Sequence, residues 1–305
     1  MNEFRSVSLD GLEVKAKGGR ATIYILPEGR VLKAFDTDVS VEELQRNMHA
    51  ASEAYAAGLP VARIHEIVNI SGKYGLIYDY IDGQPISEII RNNPERFREC
   101  VMAFSALSRR ISNIQVKWDT SLTTNNFYAG ALNRLRGILS DEEIDVYESA
   151  VDSVPRINKA VHGDYHLRNV MMNSAGQLYL IDLDDLSCGH PIWDISTLAA
   201  AYKLNPEVES DEDLIRYSGI GRQKCKMLWS MFTRDYFGNL PEDEVKRRIE
   251  ASCTYALVRV LRMAADLYYP GCENIGHLGE NNIRKNINLL RDKLDDSKKI
   301  FKSWR

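Results

Sequence analysis

The chain has 305 residues, 27% of them charged, and a formal net charge of −4. That length allows one large or two modest domains with an ample core. The slight acidic excess excludes the basic footprint of a nucleic-acid binder. Cys100, Cys188, Cys225, Cys253 and Cys272 are odd in number and never form a C-x-x-C pair. They fit neither a disulfide framework nor a zinc site and predict a reducing, cytoplasmic setting. The opening residues lack a basic-then-apolar leader, and no apolar run approaches the ~20 residues needed to span a bilayer. A membrane partner is therefore not expected, and nothing in the pattern speaks to oligomeric state.

The first eighty residues read as strands around one helix. Gly11–Lys17, Thr22–Leu26 and Val31–Phe35 are β-rich runs separated by Gly18-Gly19 and by Pro27-Glu28-Gly29-Arg30, which predicts an antiparallel meander. Gly18 and Gly19 serve either as a plain hairpin turn or as a place where backbone approaches a phosphate; the full G-x-G-x-x-G is absent. Lys33 sits inside an apolar strand, where a lysine either guards an edge or pairs with an anion. Ser40 and Glu43 form a capping box. Val41, Leu44, Met48, Ala51 and Tyr55 then recur at helical spacing as one buried stripe, and Gly58 and Pro60 end the helix. Ile64–Ile70 and Tyr74–Tyr78 complete a five-stranded sheet.

After Gly83 the pattern turns helical, dividing the chain into residues 1–82 and 83–305. Phe97, Val101, Phe104, Leu107 and Ile111 place a helix over Glu95–Ile114, and Ser140-Asp141-Glu142-Glu143 starts another. The helices are then interrupted by Val161-His162-Gly163-Asp164-Tyr165-His166-Leu167-Arg168-Asn169. Met171–Leu180 reads as a hairpin around Ser174-Ala175-Gly176, leading into Ile181-Asp182-Leu183-Asp184. The hairpin is expected to bring Asn169 and Asp182 to one mouth, as oxygen donors suited to a hard cation. Taken singly, a His-Gly-Asp loop or an Asp-x-Asp cap is as readily structural; the order and separation of the two segments carry the signal. Helices over 224–237, 242–268 and 281–302 follow. Glu207, Glu209, Asp211, Glu212 and Asp213 are either a solvated helix start or an attraction for a polyamine. Trp229, Tyr268 and Tyr269 are core or pocket.

These segments, with Gly58-Leu59-Pro60-Val61, Tyr78-Asp79-Tyr80-Ile81-Asp82-Gly83 and Gly189-His190-Pro191-Ile192-Trp193-Asp194, resemble the aminoglycoside phosphotransferases, the choline kinases and other small-molecule kinases of the protein-kinase fold. The resemblance spans roughly residues 15–200. It implies an α+β, protein-kinase-like bilobal fold: a nucleotide-binding N-terminal lobe with a five-stranded antiparallel sheet and one helix, and a larger, mainly helical C-terminal lobe.

The same resemblance assigns roles. Asp164 is the base for the acceptor hydroxyl, Asn169 and Asp182 hold magnesium, and Lys33 contacts the α- and β-phosphates of ATP or GTP. The Asp79 carbonyl and the Ile81 amide pair with the base, and Gly18-Gly19 lies over the phosphates. His166 replaces a lysine of the protein kinases; it stabilises the phosphoryl group if charged, donates one hydrogen bond if neutral, or is a plain loop histidine. His162 and Asp194 brace the loop. The position that would hold the glutamate partner of Lys33 falls on Asn47, leaving Asn47, Glu43 or Glu53 as the partner.

Only eleven residues separate Asp182 from Asp194, too few for the activation segment of a protein kinase. The expected activity is phosphorylation of a hydroxyl on a small molecule, aminoglycoside-, choline- or sugar-like. Against it stand a kinase-like binding module without transfer activity, motivated by Asn47 and the thin glycine loop, and kinase chemistry on a larger acceptor.

Overall fold

The computed structural model describes residues 4–18, 21–116, 123–267 and 280–304. The chain forms two compact units, Met1–Gln84 with Met171–Leu186 and Pro85–Val170 with Ser187–Arg305. The hairpin of residues 171–186, far along the sequence, thus belongs with the N-terminal sheet.

In the first unit β1 (Val14–Lys17), β2 (Ala21–Leu26), β3 (Arg30–Phe35), β4 (Ile64–Ile70) and β5 (Lys73–Asp79) form an antiparallel sheet in the order β1-β2-β3-β5-β4. Leu32 and Ala34 pack with Val68, Ile70 and Ile77 into one buried cluster, joined by Val7, Leu9, Leu12, Tyr24 and Leu26. Side chains alternate across a strand, so Lys33, between Leu32 and Ala34, is directed to the opposite face.

Helix α1 (Val41–Ala56) connects β3 to β4, with Ser40 Oγ accepting the Glu43 N–H at its start. Its buried face is Leu44, Ala50, Ala51 and Ala54. Tyr55, expected in the stripe, is 54% exposed: it lies on the rim of that face, at the penultimate position of the helix. The chain leaves at Gly58 with φ +83°, a left-handed value that favours glycine. β6 (Gly83–Pro85), β8 (Val170–Asn173) and β9 (Leu178–Leu180) form a smaller sheet in the order β6-β8-β9. Asn173 Oδ1 closes its turn by accepting the Ala175 and Gln177 N–H groups. The Leu180 N–H donates to Pro60 O at 2.7 Å, tying the hairpin to the loop after α1.

The second unit holds α2 (Ile86–Asn92), α3 (Phe97–Asn113), α4 (Thr124–Ala129), α5 (Leu132–Leu135), α6 (Asp141–Ser153), α7 (Ile192–Ala199), α8 (Asn205–Val208), α9 (Asp211–Ser218), α10 (Arg222–Phe237), α11 (Glu242–Leu267) and α12 (Glu280–Lys298). A short antiparallel pair, β7 (Ala160–Val161) with β10 (Ser187–Cys188), lies among them. Phe97, Val101, Phe104, Leu107 and Ile111 form the buried stripe of α3, and every residue of α7 is buried, its polar Asp194, Ser196 and Thr197 included. A π-helical turn over Ala200–Leu204 joins α7 to α8. The acidic run starts α9: Ser210 Oγ accepts the Asp213 N–H, and Asp211, Glu212 and Asp213 fill the first turn, where carboxylates suit the helix dipole.

Trp229 is buried against Phe232; Tyr268, Tyr269 and Cys272 lie outside the described residues. Cys100, Cys188, Cys225 and Cys253 are free thiols. Among the described residues no helix is long and apolar enough to cross a membrane.

Helix α6 has a complete capping box, with Ser140 Oγ accepting the Glu143 N–H and Glu143 Oε2 accepting the Ser140 N–H at 2.8 Å. Ser140→Ala is expected to lower the unfolding free energy by about 1 kcal/mol. Urea titration measures this, and an unchanged midpoint would show that the box adds nothing.

Candidate active site

Two groups of side chains carry the expected chemistry, one in each unit. In the first, Lys33 is 11% exposed, and its ammonium donates to Asp182 Oδ1 at 2.9 Å and to both oxygens of Asp184 at 2.8 Å. These two aspartates, rather than Asn47, Glu43 or Glu53 of α1, are the partners of Lys33. The part of α1 facing the interior is alanine-rich, while the ordered hairpin delivers the carboxylates to the face of β3 that Lys33 occupies.

Burial alone would depress the ammonium, but Asp182 and Asp184 more than offset it and raise its proton affinity well above the usual lysine value. Burial pushes the Asp184 carboxyl up against the pull of Lys33, and Asp182 adds to that rise. The Asp182 side chain is 49% exposed and its backbone has φ +59°, a left-handed conformation that aspartate tolerates better than most residues.

The expected nucleotide contacts occupy the edges of the same unit. Gly18 donates its N–H to Ala21 O at 2.9 Å; Gly19 lies outside the described residues. Asp79 ends β5, where its Oδ1 meets His65 Nε2 at 2.6 Å. Ile81 lies just beyond, and its N–H has no partner among the described residues.

In the second unit His166, Asn169 and Arg259 converge on Asp164. Its Oδ2 accepts from Asn169 Nδ2 at 3.0 Å and faces His166 Nε2 at 3.3 Å; its Oδ1 accepts from Arg259 Nη2 at 2.7 Å. His166 Nδ1 accepts the Arg168 N–H, so the neutral ring carries its proton on Nε2 and donates to Asp164. Asn169 also donates to Asp164 O, which leaves its own Oδ1 as the free donor atom for a cation. Burial opposes ionisation of Asp164, yet His166, Arg259 and His162 together hold its carboxyl far below the usual range.

The loop itself is held from below. The buried Asp194 carboxylate of α7 accepts the His162 N–H at 2.9 Å and the Gly163 N–H at 2.8 Å. Gly163 has φ +83°, which lets consecutive amides point at one carboxylate. Tyr165 stacks on Phe104 and donates its hydroxyl to Phe104 O. The Leu167 N–H donates to the hydroxyl of Tyr202, which projects from the π-helical turn.

Three participants escaped the sequence reading. Asp184, given no role of its own above, binds Lys33. Tyr202 has no sequence signal, because a π turn leaves none. Arg259 does have one: with Arg262 it interrupts the apolar run Tyr255–Ala265, and a buried arginine in an apolar helix demands a partner.

The fold has counterparts among known proteins. Aminoglycoside phosphotransferase APH(2'')-Ib bound to ADP superposes with a TM-score of 0.54 at 16% identity, covering 95% of this chain and 94% of that one. A thermostable mutant of APH(4)-Ia in ternary complex with ADP and hygromycin B gives 0.59 at 12% identity, with 94% of both chains covered. The streptomycin–ATP–APH(2'')-IIa complex gives 0.55 at 15% identity over 92% and 93% of the two chains. These likenesses identify the protein-kinase-like fold, and no curated protein sequence matches the chain. The profile of the phosphotransferase enzyme family, however, matches residues 17–228, a span that includes Lys33, the loop around Asp164 and the Asp182 segment. With most of the chain under that match, it belongs to the phosphotransferase enzyme family.

Proposed function

We propose that the protein is a magnesium-requiring kinase that moves the terminal phosphoryl group of ATP or GTP to a hydroxyl of a small acceptor, aminoglycoside-, choline- or sugar-like. The observation that carries this reading is the pair of assembled groups: Lys33 with Asp182 and Asp184 in one unit, Asp164 with Asn169 and His166 in the other. ADP, ATP, hygromycin B and streptomycin in the structural neighbours agree with it.

Lys33 binds the α- and β-phosphates, its ammonium already selected for anionic partners. The Asp79 carbonyl and Ile81 amide hold the base, and Gly18 and Gly19 serve the phosphates. Magnesium fits the donor set, because Asp182 and Asp184 share a single ammonium and so retain net negative charge and oxygen donors. Asp182 and Asn169 Oδ1 would hold it, and it would supply charge neutralisation at the transferring phosphate. Asp164 accepts a hydrogen bond from the acceptor hydroxyl and takes its proton late. Because its carboxyl is held so far down, orientation outweighs basicity in its contribution.

Thermal unfolding with millimolar MgATP tests the reading. Ligand at ~100 times its dissociation constant adds about 2.7 kcal/mol, a shift of several degrees. We expect a magnesium-dependent rise in wild type that Asp182→Asn abolishes. A rise unaffected by magnesium and by the substitution would remove Asp182 from the metal site.

A further inference from the structure

Arg259 lies on α11, outside the family match to residues 17–228, and no motif leads to it. Its side chain is 8% exposed and that of its partner Asp164 is 28% exposed. The pair therefore spans the boundary between interior and accessible site, with the cation on the inside. Asp164 Oδ1 is engaged by Arg259, and Oδ2 by Asn169 and His166, so both ends of the carboxylate are fixed and its plane has no freedom to turn.

Arg259 also lies close enough to the buried Asp194 to stabilise its charge. One guanidinium thus serves the carboxylate that carries the chemistry and the carboxylate that holds the loop. Three residues on, the Arg262 guanidinium sits 3.5 Å over the Phe127 ring, a cation–π contact that fixes the rotation of this part of α11.

We propose that Arg259 is a positioning residue of phosphoryl transfer: it sets the orientation in which Asp164 meets the acceptor hydroxyl. The inference rests on the kinase reading above. A simple stability bridge would be served by any well-packed pair, whereas orienting a carboxylate calls for a planar, multi-donor cation. Lysine at this position keeps the charge and loses the fork.

The test uses the full-length protein, with MgATP as donor and water as acceptor, and follows ADP release. Arg259→Ala is expected to lower kcat about 100-fold, the scale of a ~1 Å misplacement, while KM for ATP stays within about twofold. Ethylguanidinium at millimolar concentration should restore at least tenfold of that loss, a rescue that a purely structural role would not give. In an Asp164→Asn background the same substitution should have no further effect on kcat. Should Arg259→Ala fail to fold, Arg259→Lys serves instead, with kcat expected about tenfold down and the melting temperature near wild type.

Wild-type turnover that depends on Asp164 but is indifferent to Arg259, or a loss that ethylguanidinium leaves untouched and that tracks unfolding, would overturn the role. Wild-type protein with no Asp164-dependent ADP release would instead overturn the kinase reading itself.

Discussion

Asp164→Asn is expected to reduce phosphoryl transfer by about 10²–10⁴-fold, the usual contribution of a positioned acid–base group. Asparagine preserves the shape, so Asn169 and His166 keep a neighbour of the same size, but the acceptor of the hydroxyl proton is gone. Nucleotide binding should persist, because Lys33, Asp182 and Asp184 belong to a different group of side chains. The clean signature is a fall in kcat with an unchanged MgATP-dependent rise in melting temperature. An unchanged rate would show that Asp164 is a structural aspartate and that the hydroxyl is oriented by something else.

Asp194→Ala should have the largest effect on stability. The residue is 4% exposed, and its two oxygens accept the amides of His162 and Gly163. Truncation strands two buried N–H groups, each at a penalty of about 1–3 kcal/mol, and deprives Arg259 of a nearby negative charge. Together these give a loss of about 3–5 kcal/mol, or roughly 10 °C in melting temperature for a chain of this size. Asp194→Asn, which keeps one acceptor oxygen, should lose less. Equilibrium unfolding in urea measures both. A loss below about 1 kcal/mol for the alanine variant would mean that the loop amides find other partners. At temperatures where the alanine variant is still folded its turnover should already be low, because the backbone that carries Asp164 has lost its support.

Much of the site was legible because its logic is local. Alternation along β3 places Lys33 on the face opposite Leu32 and Ala34, and the short run between Asn169 and Asp182 can only be a hairpin. The stripe of α3 and the cap of α6 follow from spacing and from Ser140. The partner of Lys33 was sought on α1 and lies instead on the loop after the hairpin, because contacts across 149 and 151 residues leave no periodic trace. Arg259 meets Asp164 across 95 residues and was equally invisible as a pair, although two arginines in the apolar stretch of α11 mark a helix with a polar obligation in the interior. Tyr202 depends on a π turn that redirects its hydroxyl, and no residue pattern encodes that. Tyr55 falls at the edge of a helical face, where a one-residue rotation decides between core and solvent.

The loop around Asp164 is short, yet its hydrogen bonds reach Phe104, Asp194, Tyr202 and Arg259, at separations of 61, 32, 35 and 95 residues. None of these anchors exists until α3, α7, the π turn and α11 have come together. Helices form quickly from nearby contacts, whereas distant pairings wait on loop closure. During refolding, helical signal should therefore return well before turnover does. Partly assembled chains would be largely helical and inert, and maturation of this loop would be among the last steps by which the chain becomes an enzyme.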